Sequence, residues 1–379
     1  MHSVADRIAS RKKGRSLERE FYTSPEIFSL DLERVFFRDW LYVGHVSQVP
    51  QPGDFLNFQI GDESILITRA NEGQVNAFFN VCRHRGARIV QESCGHAAAF
   101  RCPYHSWTYG LDGSLKAAPG MSEQLSKETY GLHPAWLDVW QGFLYVHLSD
   151  KRPVETMTQR LAPAVEAVAG HRFPELKIAK TIQYDVPANW KLIMENYREC
   201  YHCRAAHPQF CATVPVDELE EHRSQSNQRL IKQRYGTFTR YDLRPGAVSQ
   251  SVSGEAVSIP LGDRTQKDTT LRAMCFYPGH AMVFGVDYGW AFGLQPRSAT
   301  ETTLTAHWYV NKHAIQGRDY NPDSVAEFWD VTTRQDIYLC TINQQGVNSR
   351  RYTPGPYNPG QEDDLDHFLD YYMEKLQQP

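Results

Sequence analysis

The chain has 379 residues, of which 41% are hydrophobic and 22% are charged, so it has the composition of a globular protein long enough for two domains. Its formal net charge of −4 provides no electrostatic reason to expect a nucleic acid or an anionic membrane as partner. No apolar run approaches the roughly 18 residues that a membrane span requires, and the first residues form no secretory signal. Because the eight cysteines accompany no export signal, we expect a cytoplasmic protein whose thiols are ligands or buried apolar groups rather than disulfides.

Residues 1–40 are predicted to form a helical segment that packs on the C-terminal domain. Apolar residues recur at helical spacing between residues 27 and 40. Ser24 followed by Pro25 is typical of an N-cap with proline at the first helical position.

Residues 41–152 are predicted to form a small all-β domain. Short apolar stretches are separated by turn sequences such as Pro52-Gly53 and Asp112-Gly113. The strand candidates are residues 56–60, 64–68, 75–79, 98–101 and 142–148. The polar sequence Asp-Lys-Arg-Pro at residues 150–153 marks the expected boundary.

Residues 153–379 are predicted to form an α+β domain around a curved antiparallel sheet, because strands and helices occur in separate runs. The strand candidates are residues 180–186, 271–276, 281–286, 290–296 and 302–310. The helix candidates are residues 157–170, a helix that begins near residue 189, and residues 325–340 and 364–376. Residues 216–268 are polar, and we expect a loop with some short elements there.

Two cysteine–histidine pairs lie in the β domain, Cys82-x-His84 and Cys102-x-x-His105. Two thiolates on one iron and two imidazoles on the other are the ligands of a Rieske [2Fe-2S] cluster. A structural zinc site is the alternative, but zinc ligands are usually two to four residues apart, whereas one residue separates Cys82 from His84. The spacing therefore favours a Rieske cluster, which relays electrons to an oxygen-activating metal.

A second metal site is predicted in the stretch from Glu195 to His207. His202 and His207 are five positions apart, which places them roughly 140° apart on an ideal helix, so they cannot share a metal from one helical face. Pro208 disfavours the helical conformation for His207, and this allows the ring to turn back toward His202. Two histidines and one carboxylate form the ligand set of non-heme iron(II) oxygenases.

The third ligand is predicted to be Asp336. On a helix Asp336 shares its face with Trp329 and Cys340, whereas Asp330 shares its face with the charged Arg334. A buried carboxylate is costly without a partner, and a metal ion relieves that cost.

Glu199 lies one turn before His202 on the same face, where it can accept a hydrogen bond from a ligand histidine. The spacing Cys200-x-x-Cys203 is also that of a redox dithiol, although the pair lies within the predicted ligand stretch.

These motifs resemble those of Rieske non-heme iron oxygenase α subunits. The cluster motif is Cys82-Arg-His84-Arg-Gly86 with Cys102-Pro-Tyr-His105-Ser-Trp107, and the iron motif comprises Asn189-Trp190-Lys191, Asn196, Glu199, Tyr201, His202 and His207. The resemblance implies a Rieske domain, a helix-grip catalytic domain and a head-to-tail homotrimer. It also implies that Glu199 and Asn196 are catalytic residues. Glu199, an aspartate in most ring-hydroxylating relatives, is expected to bridge one subunit's cluster to the neighbour's iron.

The sequence around Glu199 and the tail of the chain resemble the branch that acts on quaternary ammonium compounds. The matching residues are Glu199-Cys200-Tyr201-His202-Cys203, Gly346-Val347 and Tyr352-Thr-Pro-Gly-Pro-Tyr357. The resemblance implies O2-dependent hydroxylation of an N-methyl group of a small quaternary ammonium compound of the betaine type, followed by demethylation and release of formaldehyde. An aromatic-ring hydroxylating dioxygenase and a non-catalytic Rieske electron carrier are the alternatives.

Aromatic residues in the predicted strands are candidates for the substrate pocket, because such rings attract a methylated ammonium. The candidates are Phe276, Tyr288, Trp290 and Trp308. Aromatic residues in strands are more often core residues, and only about half of them point to one face.

The chain contains no dinucleotide fingerprint and no ferredoxin-type cysteine run. Electrons must then come from a separate reductase, for which the resemblance implies NAD(P)H, flavin and a [2Fe-2S] cluster. Arg83, Arg85 and Arg88 beside the predicted cluster are candidates for docking an acidic partner, or form a solvated basic face.

Overall fold

The computed structural model describes residues 4–122, 124–216 and 231–378. The chain divides into two compact units, Tyr42–Gln159 and a second unit made of Met1–Leu41 with Arg160–Pro379. The predicted domain boundaries after residues 40 and 152 remain predictions.

The unit Tyr42–Gln159 is built from short strands. They are β1 Leu41–His45, β2 Asp54–Ile60, β3 Glu63–Asn71, β4 Gln74–Phe79, β5 Cys94–His96, β6 Phe100–Arg101, β7 Thr108–Tyr109, β8 Leu115–Ala117, β9 Trp136–Trp140 and β10 Phe143–His147. They form three sheets, with the orders β1-β10-β9, β4-β3-β2-β5 and β6-β7-β8. The strands that the sequence analysis did not identify include those of only two or three residues, which are too short to show periodicity.

The N-terminal segment consists of several short helices rather than one continuous helix. They are Val4–Ala9, Glu20–Thr23, Pro25–Leu30 and the π-helical Asp31–Phe36. The predicted cap is present, because Ser24 Oγ accepts a hydrogen bond from the Ile27 backbone N–H at 3.2 Å. The chain leaves the helical conformation at Ser24, whose φ of −81° and ψ of 124° are extended.

The π-helical turn is anchored through the buried side chain of Asp31. Its carboxylate accepts hydrogen bonds from Trp190 Nε1 at 2.9 Å, Lys191 Nζ at 2.5 Å and the Tyr372 hydroxyl at 2.6 Å. Because the ion pair with Lys191 is fully buried and each oxygen has a partner, it ties the N-terminal segment to the helix at residues 190–196.

The second unit is organised around one seven-stranded antiparallel sheet. Its strands are β11 Leu176–Val186, β12 Ile231–Gln233, β13 Gly236–Asp242, β14 Thr270–Phe276, β15 His280–Phe284, β16 Gly289–Ser298 and β17 Glu301–Asn311. The sheet order is β11-β17-β16-β15-β14-β13-β12. Five of these strands were predicted, whereas β12 and β13 lie in the region expected to be mostly loop. Residues 217–230 of that region are outside the described residues.

Helices complete the second unit. They are Ala162–Val168, Trp190–Asn196, Cys203–Ala206, Pro208–Thr213, Pro322–Val347 and Asp363–Gln377, with Met157–Arg160 at the junction of the two units. The helix Pro322–Val347 begins earlier than predicted, because the Asn321 side chain caps it and Pro322 occupies its first turn. The fold is α+β, as expected, and no helix of the described residues is long and apolar enough to cross a membrane.

Candidate metal centres and active-site cavity

The two predicted cluster motifs occupy two similar tight turns in the unit Tyr42–Gln159. In the first, Gly86 N–H donates to the Cys82 carbonyl at 2.9 Å, and in the second, Ser106 N–H donates to the Cys102 carbonyl at 3.0 Å. Gly86 and Ser106 both take the left-handed conformation, with φ of 77° and 62°. The turns bring His84 Nδ1 to 3.1 Å from His105 Nδ1.

The two cysteines are buried and the two histidines are partly accessible. Cys82 and Cys102 belong to the apolar core of this unit, together with Trp107. Burial and the neighbouring Cys82 raise the pKa of the Cys102 thiol. Two sulfurs on the buried side and two imidazole nitrogens on the outer side fit the ligands of a Rieske cluster.

Aromatic rings cover the two histidines. Trp107 stacks on His84 with ring centroids 5.0 Å apart, and Tyr104 stacks on His105 at 4.0 Å. Trp107 is buried and Tyr104 is exposed. These contacts shield the two histidine rings on one side each.

The predicted docking arginines differ in accessibility. Arg85 and Arg88 are exposed. Arg83 is half-buried, and its Nη1 donates to the Gly131 carbonyl at 2.7 Å. Arg85 and Arg88 therefore offer the basic surface beside the cluster turns.

The predicted break between the iron-site histidines is confirmed. The helix Cys203–Ala206 follows His202 and ends at His207, whose φ of −126° and ψ of 68° are not helical. Pro208 begins the next helix. As a result the two imidazole rings lie 5.1 Å apart between centroids.

The helix Pro322–Val347 brings Asp336 to both histidines. Its Oδ1 lies 2.9 Å from His207 Nε2 and 3.3 Å from His202 Nε2. Burial opposes the ionisation of Asp336, but the hydrogen bonds with His202 and His207 outweigh it and lower the pKa of the carboxyl. Asp330, the rejected candidate, instead accepts from the Tyr184 hydroxyl at 2.5 Å and pairs with Arg334 at 3.0 Å.

Each histidine is also held from its other nitrogen. His202 Nδ1 lies 2.5 Å from Glu199 Oε1, as predicted, and His207 Nδ1 lies 2.8 Å from Gln335 Oε1. Gln335 was not predicted, although a search for a polar neighbour of the predicted ligands would have found it beside Asp336. Asn196 Nδ2 lies 3.5 Å from His202 Nε2.

The carboxylates of Asp336 and Glu199 make the surroundings of His202 favourable for a positive charge. Burial lowers the pKa of His202, but Asp336 and Glu199 outweigh it and raise that pKa to about 9. Two histidines and a buried carboxylate converging on one point fit iron(II).

Cys200 and Cys203 form a disulfide, which differs from the expectation of free thiols. The sulfur of Cys203 lies with the His202 and His207 nitrogens in a set of atoms within 4.8 Å of one another. Because this sulfur is bonded to Cys200, it is not a free thiolate ligand, and Asp336 remains the candidate for the third donor.

A cavity of about 180 Å3 adjoins His202, His207 and Asp336. Its aromatic walls are Tyr197, Phe210, Tyr241, Trp290 and Trp329. The rings of Trp290 and Trp329 stack with centroids 4.3 Å apart and planes 4° apart. The cavity is smaller than the roughly 300–1,000 Å3 of most small-molecule sites, so it suits a small substrate.

The four predicted pocket aromatics have different positions. Trp290 lines the cavity, whereas Phe276, Tyr288 and Trp308 are buried and do not line it. The Tyr288 hydroxyl donates to the Gln250 carbonyl, and Phe276 contacts the His280 ring at 5.6 Å. Their burial reflects core packing, which strand alternation does not distinguish from a cavity wall.

Family comparisons agree with both candidate centres. Residues 39–136 match the Rieske [2Fe-2S] domain, and residues 173–378 match the catalytic domain of the ring-hydroxylating α subunits. The chain belongs to the Rieske oxygenase α subunits. It is therefore an oxidoreductase, whose two domains carry a [2Fe-2S] cluster and a mononuclear iron.

Several α subunits are similar over nearly the whole chain. The glycine betaine monooxygenase oxygenase subunit of Chromohalobacter salexigens is 33% identical over 99% of this chain and 88% of its own length. The carnitine monooxygenase oxygenase subunit of Acinetobacter baumannii is 36% identical over 88% of this chain and 85% of its own length.

A solved structure described as a quaternary ammonium Rieske monooxygenase is 25% identical, with a TM-score of 0.81 and 100% of both chains covered. Its description includes carnitine oxidation and inter-subunit electron transfer. As an α subunit of this family, the present chain acts with a separate reductase and oligomerises.

Proposed function

We propose that this α subunit uses O2 to hydroxylate an N-methyl group of a small quaternary ammonium compound. The hydroxymethyl product then breaks its C–N bond, which releases formaldehyde, a proton and the demethylated amine. The observation that carries the proposal is the stacked pair Trp290 and Trp329 in the wall of the cavity beside His202, His207 and Asp336.

The aromatic walls fit the charge of such a substrate. A quaternary ammonium has no N–H to donate, but an aromatic face can attract its charge, at about 0.5–2 kcal/mol per ring. The relatives named glycine betaine and carnitine monooxygenase oxygenase subunits support the same substrate class.

We assign Cys82, His84, Cys102 and His105 to the cluster and His202, His207 and Asp336 to the mononuclear iron. When bound, the cluster supplies electrons and the iron activates oxygen. The protein holds the rings of His202 and His207 through Glu199 and Gln335, which sets the nitrogen that each ring presents to the cavity. Asn196 lies beside His202 and is assigned a supporting role.

We further propose that the subunits form a head-to-tail homotrimer in the cytoplasm. In it, Glu199 would connect one subunit's cluster to the neighbour's iron, because a carboxylate can accept a hydrogen bond from a histidine of each centre. The reductase would contain flavin and a [2Fe-2S] cluster and would dock near the exposed Arg85 and Arg88.

The experiment supplies O2 and a surrogate reductase to the purified protein together with glycine betaine, proline betaine, carnitine, choline or a set of arenes. We expect formaldehyde from at least one methylammonium compound. Trp290→Ala should lower kcat/KM roughly 2- to 30-fold, which corresponds to the loss of one ring contact. Trp308→Phe is the control, since Trp308 is buried outside the cavity. Formation of arene cis-diols with no methylammonium turned over would contradict the proposal.

A further inference from the structure

A buried arginine, Arg198, lies in the wall of the same cavity. It follows the helix Trp190–Asn196, its backbone N–H donates to the Glu195 carbonyl at 3.1 Å, and its side chain is only 1% exposed. The cavity that Arg198 lines also adjoins His202, His207 and Asp336. A positive group and the candidate iron site therefore line the same cavity.

Only part of the Arg198 guanidinium is used by the protein. Nη1 donates to Thr237 Oγ1 at 2.7 Å, and the group lies 5.3 Å from the centroid of the Tyr277 ring. Among the described residues, Nε and Nη2 have no nitrogen or oxygen partner, although the Cys275 thiol interacts with the guanidinium. The Asp364 carboxylate lies 3.9 Å from Nη2, which is beyond hydrogen-bond distance.

The free donors need an explanation, because leaving buried N–H groups of a charged side chain without acceptors is costly. Arg198 keeps its charge in this position. Burial opposes the charge, but Tyr277, Cys275 and Asp364 outweigh it and raise the pKa of the guanidinium. Asp364 thus stabilises the positive charge of Arg198 but accepts no hydrogen bond from its Nε or Nη2.

The geometry of the free donors suggests the missing acceptor. Nε–H and Nη2–H lie on one edge of the planar guanidinium, and this edge matches the two oxygens of a carboxylate. Thr237 occupies Nη1 on another edge, so it fixes the orientation of the group without blocking the free edge.

We propose that Arg198 binds a carboxylate of the substrate through Nε and Nη2, so that the enzyme is specific for betaines, the quaternary ammonium compounds that carry a carboxylate. The inference rests on the proposed function and narrows its substrate class. The aromatic rings would hold the methylated ammonium near His202, His207 and Asp336, and Arg198 would hold the opposite end of the molecule. Choline and arenes have no group that satisfies the two donors.

The test compares glycine betaine with its methyl ester, which keeps the ammonium but has no carboxylate charge. Equilibrium binding and formaldehyde release are measured for the wild type, Arg198→Gln and Arg198→Lys. We expect the wild type to bind glycine betaine about 10- to 100-fold more tightly than the ester, which is the ratio expected for charge-assisted hydrogen bonds. Arg198→Gln should lose that preference, and Arg198→Lys, which cannot form the bidentate contact, should retain part of it.

Two controls separate binding from folding. Arg272→Gln alters another buried arginine, which lies in β14, donates to the Ala167 carbonyl at 3.1 Å and does not line the cavity. It should keep the preference for glycine betaine. If Arg198→Gln does not fold, Arg198→Met combined with Asp364→Asn removes both charges together and serves in its place.

The outcomes distinguish this inference from the proposed function. Formaldehyde release from glycine betaine and its ester with equal kcat/KM, or an equal loss for both in Arg198→Gln, would overturn the carboxylate site and leave the proposed reaction intact. Tight, Arg198-dependent binding of betaines without formaldehyde from any methylammonium compound would support the site and contradict the reaction.

Discussion

At the scale of single residues, the candidate iron site depends on which carboxylate of the helix Pro322–Val347 meets the histidines. Asp336 Oδ1 lies 2.9 Å from His207 Nε2, whereas Asp330 pairs with Arg334. We predict that Asp336→Asn loses the mononuclear iron and retains the cluster. Loss of a residue that hydrogen-bonds to a metal ligand typically lowers activity roughly 10- to 100-fold. Loss of a ligand itself should lower formaldehyde release by more than that.

The measurement is iron and acid-labile sulfide per chain. Asp336→Asn should lower iron without lowering sulfide, and the matched variant Asp330→Asn should change neither. Full iron in Asp336→Asn would exclude Asp336 as a ligand.

Glu199 is the residue on which the proposed electron transfer depends. Its Oε1 lies 2.5 Å from His202 Nδ1, and the Tyr201 and His202 backbone N–H groups donate to its other oxygen. We predict that Glu199→Gln binds both metals but slows reoxidation of the reduced cluster in a single turnover by at least about 10-fold, because the bridging acceptor is weakened. The cluster's visible spectrum reports the rate, and the exposed Glu327→Gln is the control. A wild-type rate in Glu199→Gln would refute the bridge.

At the scale of elements, the helix Trp190–Asn196 carries a buried acid that couples stability to pH. Burial raises the pKa of Glu195 from an ordinary 4.5 to about 7, although the hydrogen bond from the Tyr22 hydroxyl at 2.9 Å and nearby Lys191 oppose the rise. Between pH 4.5 and 7 the folded protein binds this proton more tightly than the unfolded chain does. The contribution of Glu195 to stability is therefore fully present below about pH 4.5 and is lost as the pH rises toward 7.

We predict that Glu195→Gln, which still accepts from Tyr22, weakens this pH dependence. The wild type should lose about 2–3 kcal/mol more of its free energy of unfolding between pH 5 and pH 8 than Glu195→Gln does. This follows from roughly 1.4 kcal/mol per unit of pKa shift. Urea unfolding at the two pH values measures it, with the exposed Glu301→Gln for comparison. Parallel pH profiles for the wild type and Glu195→Gln would show that Glu195 does not titrate in this range.

At the scale of the whole molecule, the proposed head-to-tail trimer makes each active centre depend on two chains. A chain with Cys102→Ala has no cluster to donate electrons, and a chain with His202→Ala lacks a ligand of the iron site. We predict that mixed trimers of the two variants regain part of the activity that neither variant has alone, because some interfaces pair an intact cluster with an intact iron site.

Formaldehyde release after the two variants are dissociated and reassembled together is the measurement. Each variant reassembled alone is the control. Absence of activity in mixtures that contain both metals would argue for electron transfer within one chain.

The sequence by itself determined the features that depend on short spacing. The Cys82/His84 and Cys102/His105 pairs each fit within one tight turn, and Pro208 ends the helical conformation at His207 irrespective of the remaining fold. The buried face of the helix around Asp336 also follows from local periodicity, since a helix of 26 residues has a regular inner side.

Only the tertiary structure decided which side chains meet across elements. Strand alternation identifies a face but not what lies opposite, so Trp290 reaches the cavity while Phe276, Tyr288 and Trp308 pack in the core. The cavity wall contributed by Trp329 comes from a helix and stacks on a strand residue far away in sequence.

The same limit applies to the polar groups. The pairing of His207 with Gln335 and the two free donors of Arg198 depend on how distant backbones approach one another. A hydrogen bond requires placement within a few tenths of an ångström. Local sequence patterns predict conformation and burial. The distances between hydrogen-bonding atoms of distant segments are determined by how those segments pack.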